Sequence, residues 1–158
     1  MDTTPLAQAY RRLIETAQAI TPSTSLTEDE RADIDWRMAH IALTDEILAT
    51  AARDILDGRP AIVDNLPAMD SDAIAAIIGN TSHAQRVLRV RTNGAVFIAC
   101  LPRMSDVQPK TAVRLKLHDR NGALVSDRTM IWNDLVHVRA QRHIPAHVAR
   151  LVSLSILS

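Results

Sequence analysis

The sequence is short of the residues that usually announce a function. It has one cysteine, Cys100, only four glycines, and aromatic residues amount to 3%. A single thiol excludes an intramolecular disulfide and fits a reducing compartment. So few glycines leave no Gly-rich phosphate loop, and no Gly-x-Ser-x-Gly nucleophile elbow is present. Scarce aromatic rings argue against base stacking as a binding mode. Lys+Arg and Asp+Glu are both 18, so there is no bulk electrostatic pull toward nucleic acid or anionic lipid. No apolar run approaches the roughly 18 residues of a membrane span, and Ala95 to Leu101 is far too short. The segment Met1 to Pro5 lacks the basic-then-apolar order of a signal peptide. These absences set the expectation of a cytoplasmic protein with neither membrane nor nucleic acid as partner.

What is there suits one globular domain spanning 1–158, with 47% hydrophobic residues to fill a core. Thr4 followed by Pro5 reads as an N-cap and first helical position. Leu6, Tyr10, Leu13, Ala17 and Ile20 then keep helical spacing up to Pro22. A second helix opens between Thr27 and Asp35, where Thr27 and Glu30 have capping-box spacing, and ends at Asp57-Gly58-Arg59-Pro60. Its stripe runs through Trp36, Ala39, His40, Leu43, Ile47, Ala51 and Ile55. Ala61 to Met69 is a connection. A third helical run is capped at Ser71, interrupted at Gly79-Asn80, recapped at Thr81-Ser82 and stopped by Pro102. Gly94 within it costs up to about 1 kcal/mol relative to alanine.

The period then changes. Val113, Leu115 and Leu117 alternate with Arg114, Lys116 and His118 ahead of Asn121-Gly122, a hairpin signal that puts His118 on the exposed side. Asn133 or Asp134 caps a last helix through Leu135, Val136, Ala140, His143, His147, Leu151 and Leu154. The expected fold is mainly all-α: an up-down four-helix bundle with a short β-hairpin between helices 3 and 4.

Chemistry concentrates in the histidines. His143 and His147 are four apart, about 40° around a helix and one turn along it, so two imidazoles can converge on one ion. His40 lies on the inward stripe of the second helix, and facing helices of a bundle project ligands at fixed positions. Three histidines plus water form an open coordination set. His137 points about 120° away from His143 and about 80° from His147. His83 falls one position before the apolar stripe and reads as a surface residue. Pro145 sits between the paired histidines and predicts a kink, or loss of the helical hydrogen bond to Gln141. Cys100, in an apolar run, reads as a buried inert thiol. Asp45 has the position to orient a histidine, but a solvated helix face is the expected place for it. No His-Glu-x-x-His is present, which removes the metalloprotease reading.

Two segments carry a family resemblance: Trp36-Arg-Met-Ala-His40-Ile-Ala, and Asp134-Leu-Val-His-Val-Arg-Ala-Gln-Arg-His143-Ile-Pro-Ala-His147. With the order of elements they resemble the DinB/YfiT-like superfamily, which includes mycothiol-dependent maleylpyruvate isomerases. The resemblance implies a four-helix bundle, a divalent metal (nickel or zinc) on His40, His143 and His147, and a homodimer. It also implies a low-molecular-weight thiol such as mycothiol as co-substrate.

Two functions follow as expectations. The first is a metal-dependent transferase, isomerase or hydrolase acting on a small molecule. The second is a non-catalytic dimeric helical binding or stress-response module, which side chains such as Trp36 and Leu43 would produce by plugging the space above the histidines.

Overall fold

The computed structural model describes Met1 to Ile156, so the last two positions of the expected 1–158 unit lie outside the described residues. Among these residues the chain forms five helices and a three-stranded sheet. Helix α1 is Thr4–Ala19 and α2 is Glu28–Leu56. Strand β1, Ile62–Asp64, precedes α3, Ser71–Asn80, and α4, His83–Cys100. Strands β2, Ala112–His118, and β3, Leu124–Ile131, lead into α5. Helix α5 is one rod: Trp132–Val138, a π-helical turn at Arg139–His143, then Ile144–Ile156.

Local chemistry sets these boundaries. Thr27 accepts the Glu30 N–H at 3.2 Å, and Glu30 reaches back to the Thr27 N–H at 2.8 Å, which is the expected capping box. Ser82 and Gln85 repeat it at the same two distances. That second box makes the expected third helix two helices. The caps at three other starts differ from expectation. Asp2 accepts the Thr4 N–H, placing Thr4 inside α1; Asp70 rather than Ser71 caps α3; and α5 emerges directly from β3 with no side-chain cap. Gly58 ends α2 in the left-handed region, at φ 71°.

The long helices share a core containing Leu6, Leu13, Met38, Ile41, Phe97, Trp132, Ile144 and Leu151, all fully buried. Each such side chain contributes roughly 1.5–3 kcal/mol by leaving water. Helices α1 and α4 meet closely at Gly94, where a Cβ would lie 2.7 Å from the Tyr10 ring. The glycine in a helical run is therefore a packing requirement. Helix α2 is buried on most of its circumference from Met38 to Ala52, which makes it the central element.

The hairpin belongs to a sheet of order β1-β2-β3, with β1 parallel to β2 and β2 antiparallel to β3. Strand β1 lies in the stretch that reads as a connection. Its three residues are too few to show a period, and only pairing with Arg114 to Lys116 defines it. The turn forms as expected: Asp119 accepts the N–H groups of Asn121 and Ala123, and Gly122 takes φ 77°. No helix among the described residues is long and apolar enough to cross a membrane.

Candidate metal centre

Helices α2 and α5 bring His40, His143 and His147 together. The rings of His143 and His147 have centroids 4.7 Å apart, and each lies 5.8 Å from the His40 ring. One ligand nitrogen from each ring falls within 4.8 Å of the others. Bonds of 2.0–2.1 Å in tetrahedral geometry set two nitrogens on one zinc ion about 3.4 Å apart, so the rings would have to draw together to share an ion.

The departure from regular helix falls before the histidine pair rather than between its members: a π-helical turn covers Arg139–His143, and α-helix resumes at Ile144 and runs through Pro145. Proline brings no N–H, and a π-turn is a known way for a helix to absorb such a defect, often at functional sites. His143 closes that turn, and His147 follows one α-helical turn later.

His40 is ready for ligation. Its Nδ1–H donates to the Ala68 carbonyl at 2.7 Å, leaving the Nε2 lone pair free. Trp36 stacks on the ring at 4.7 Å between centroids, and the Arg120 guanidinium of the hairpin turn covers Trp36 at 3.7 Å. Trp36 and Leu43 pack with Ala39, Ile74 and Ile77 in a small separate cluster. Trp36 therefore covers one side of His40, and neither Trp36 nor Leu43 lines the cavity on the other.

That other side opens into a cavity of about 400 Å³ between the helices and the sheet. His40, Thr44, Arg139 and His143 line its helical wall; Leu115, Leu117, His118 and Met130 line its sheet wall. The floor includes Phe97, whose ring meets Trp132 edge-on.

Burial holds all three imidazoles in the neutral form. It lowers His40 to about 4 and His147 to about 3, and pushes His143 far below its ordinary range. The positive charge of Arg139 acts in the same direction on all three. A neutral imidazole is the form a metal needs, so the donor set suits a divalent transition ion.

Two arginines complicate the fit. Arg139 Nη1 donates to His143 Nδ1 at 2.9 Å, and Arg37 Nη1 donates to His147 Nδ1 at 3.2 Å. Each ring then carries its proton on Nε2. Ligation through Nε2 moves that proton to Nδ1, where it faces an arginine that has no acceptor. Arg37 is partly exposed and also bonded to Asp33, so it has room to turn away. Arg139 is fixed: it pairs with Asp45 and donates to the Tyr10 hydroxyl at 3.1 Å.

Asp45 corrects the expectation of a solvated helix face, because it is 0% exposed. The solvated side of α2 at this level belongs to Glu46, while Asp45 faces the core. Tyr10 and Arg139 both donate to its Oδ1, while Oδ2 has no partner. Burial pushes the carboxyl up, and Arg139 pulls it down. The chain Asp45–Arg139–His143 was hidden in the sequence, although Arg139 does stand four residues before His143, the spacing of helical neighbours.

His118 corrects a second expectation. Its side chain is only 10% exposed, with the Asp64 carboxylate 3.3 Å from its ring. His137 is exposed, as its angle predicts. His83 is half-buried, with its Nε2 bonded to the Ala17 carbonyl at 2.8 Å. Cys100 is a buried free thiol, 4% exposed.

No family model, no curated protein and no solved structure matches the chain. The centre is therefore defined by its own geometry: a helical protein with three buried histidines close enough to hold a metal ion beside a cavity.

Proposed function

We propose that this protein is a metal-dependent enzyme of the DinB/YfiT-like type, with His40, His143 and His147 as ligands and the adjoining cavity as its substrate site. The observation that carries the reading is the convergence of three neutral, shielded imidazoles from two helices, of which His40 and His143 line a cavity sized for a small molecule. A divalent ion there supplies Lewis acidity and lowers the pKa of a bound water or thiol. The chain's own groups do the rest. Thr44, Leu48 and Phe97 shape the cavity, Leu115, Leu117 and Met130 exclude water from it, and the Asp45–Arg139 pair fixes the helix that bears two ligands.

The reaction class is transfer, isomerisation or hydrolysis, with a low-molecular-weight thiol such as mycothiol as second reactant. Zinc or nickel is the expected ion, and a homodimer the expected assembly. All of these rest on the family resemblance of the two histidine-bearing segments. Cobalt(II) substitution tests the core of the proposal. Visible absorption bands typical of nitrogen coordination appear with one equivalent of cobalt, and a sulfur-to-cobalt charge-transfer band follows on adding the thiol. Absence of the first bands contradicts the metal site, and absence of the second removes the thiol. Sedimentation velocity tests the dimer.

A second reading has one observation in its favour. Arg139 and Arg37 already occupy the Nδ1 atoms of two histidines, as in a purely structural polar network. Under it the protein is a non-catalytic helical module, and cobalt leaves the histidines untouched.

A further inference from the structure

Three independent features converge on His118, a residue that the metal reading leaves without a role. His118 lies on the wall of the cavity that holds His40 and His143. Asn65 clamps its backbone from both sides: its Oδ1 accepts the His118 N–H at 2.6 Å, and its Nδ2 donates to the His118 carbonyl at 3.2 Å. Asp64, at the end of β1, sets Oδ1 3.3 Å from His118 Nδ1. That nitrogen is buried without an aligned hydrogen bond, although nine-tenths of the side chain is shielded from water. A place on the cavity wall, a two-point clamp and a facing carboxylate amount to more than an exposed strand residue requires.

We propose that His118 is a catalytic acid–base residue on the sheet wall of the cavity, with Asp64 as its positioning residue. The role rests on the proposed metal-dependent reading and adds the proton acceptor that reading lacks, because His40, His143 and His147 are committed as ligands. Asp64 favours the tautomer with the proton on Nδ1, leaving Nε2 as the basic atom toward the cavity. An O–H or S–H group of a molecule lodged there loses its proton to Nε2: the N–H bond forms as the O–H or S–H bond breaks. The imidazolium charge faces Asp64, and the proton then passes to water at the cavity mouth. Lys116, 4.0 Å from Asp64, and Arg128, on the same cavity wall, are the nearby cations. The substrate class that follows has an ionisable hydroxyl or thiol, or is attacked by one.

The test uses full-length zinc-loaded protein with 4-nitrophenyl acetate as probe. Water loses a proton to His118, its oxygen bonds to the acyl carbon, and the C–O bond to 4-nitrophenolate breaks. H118A lowers the zinc-dependent rate by roughly 10²-fold or more, the usual size of a general-base contribution. Added imidazole restores part of that rate, and zinc affinity is unchanged. Nitrogen-15 spectra of histidine-labelled protein show His118 protonated on Nδ1 in the wild type, a preference that D64N weakens. Full activity in H118A, a loss that imidazole does not restore, or a wild-type proton on Nε2 overturns the proposal. Absence of zinc binding by the wild type contradicts the three-histidine reading instead, and the tautomer spectra then decide the Asp64–His118 arrangement alone.

Discussion

Arg139 binds Asp45 with one guanidinium nitrogen and His143 Nδ1 with another, so a fully buried carboxylate on α2 is tied through α5 to one of the three clustered histidines. Both charges lie out of water, and each depends on the other. Asp45→Ala leaves a buried guanidinium unpaired and is expected to destabilise the fold by about 3–5 kcal/mol in urea unfolding. The double change D45L/R139M removes both charges together and recovers most of that loss. Equal destabilisation by the single and double variants would show that the pair does not act as a unit.

Tyr10 gives a second, independent test of packing. Its hydroxyl is bound to Asp45 and its ring lies where a Cβ on Gly94 would fall, at 2.7–2.8 Å from two ring carbons. Helix propensity alone favours Gly94→Ala by up to about 1 kcal/mol. The clash reverses that sign, because the bound hydroxyl stops the ring from moving aside, and the variant is expected to lose about 1–3 kcal/mol. Adding Tyr10→Ala to G94A relieves the overlap, and the two effects are then less than additive in denaturant midpoints.

How much of this was legible in the sequence varied with the range of the interaction. The convergence of His40, His143 and His147 could be read because two ligands share one helix at four-residue spacing and the third lies on an apolar stripe. The capping box at Thr27/Glu30 and the Asn121-Gly122 turn are equally local. Asp45 could not be placed, because its burial depends on Arg139, 94 positions away. Strand β1 is defined only by pairing with β2, and the shielding of His118 comes with its contacts to Asp64 and Asn65 in that distant segment. The joining of the hairpin into a three-stranded sheet followed from the same limits, whereas the separation of α3 from α4 lay in the local Ser82/Gln85 box.

The histidines make stability depend on acidity. In the unfolded chain each takes up a proton near its ordinary 6.5, whereas in the fold burial holds His40 to about 4 and His147 to about 3, with His143 lower still. The unfolded state therefore binds more protons throughout this window. Stability is complete above pH 6.5 and falls as the pH drops, by up to about 1.4 kcal/mol per histidine per pH unit. Asp45, raised by burial above its ordinary 3.8, has the opposite sign over the lower part of the window, one group against three. Urea midpoints of metal-free protein are expected to fall between pH 7.5 and pH 5, and less steeply in H40Q/H147Q. A flat profile would mean that these rings are not buried neutral.

Arg37 opposes a cation in the centre, since it occupies His147 Nδ1 and brings positive charge beside it. Arg37→Ala frees that atom and is expected to tighten zinc binding about tenfold, equivalent to about 1.4 kcal/mol, in competition with a chelating dye. Weaker binding would assign Arg37 a supporting role instead.

The central claim is that three histidines form a metal site. Titration of metal-free protein with zinc and nickel, followed by elemental analysis after gel filtration, tests it directly. The account predicts one ion per chain in the wild type, and loss of that stoichiometry in H40A, H143A and H147A while H137A keeps it. Wild-type protein that retains no ion under saturating metal, or variants that bind as the wild type does, would contradict it.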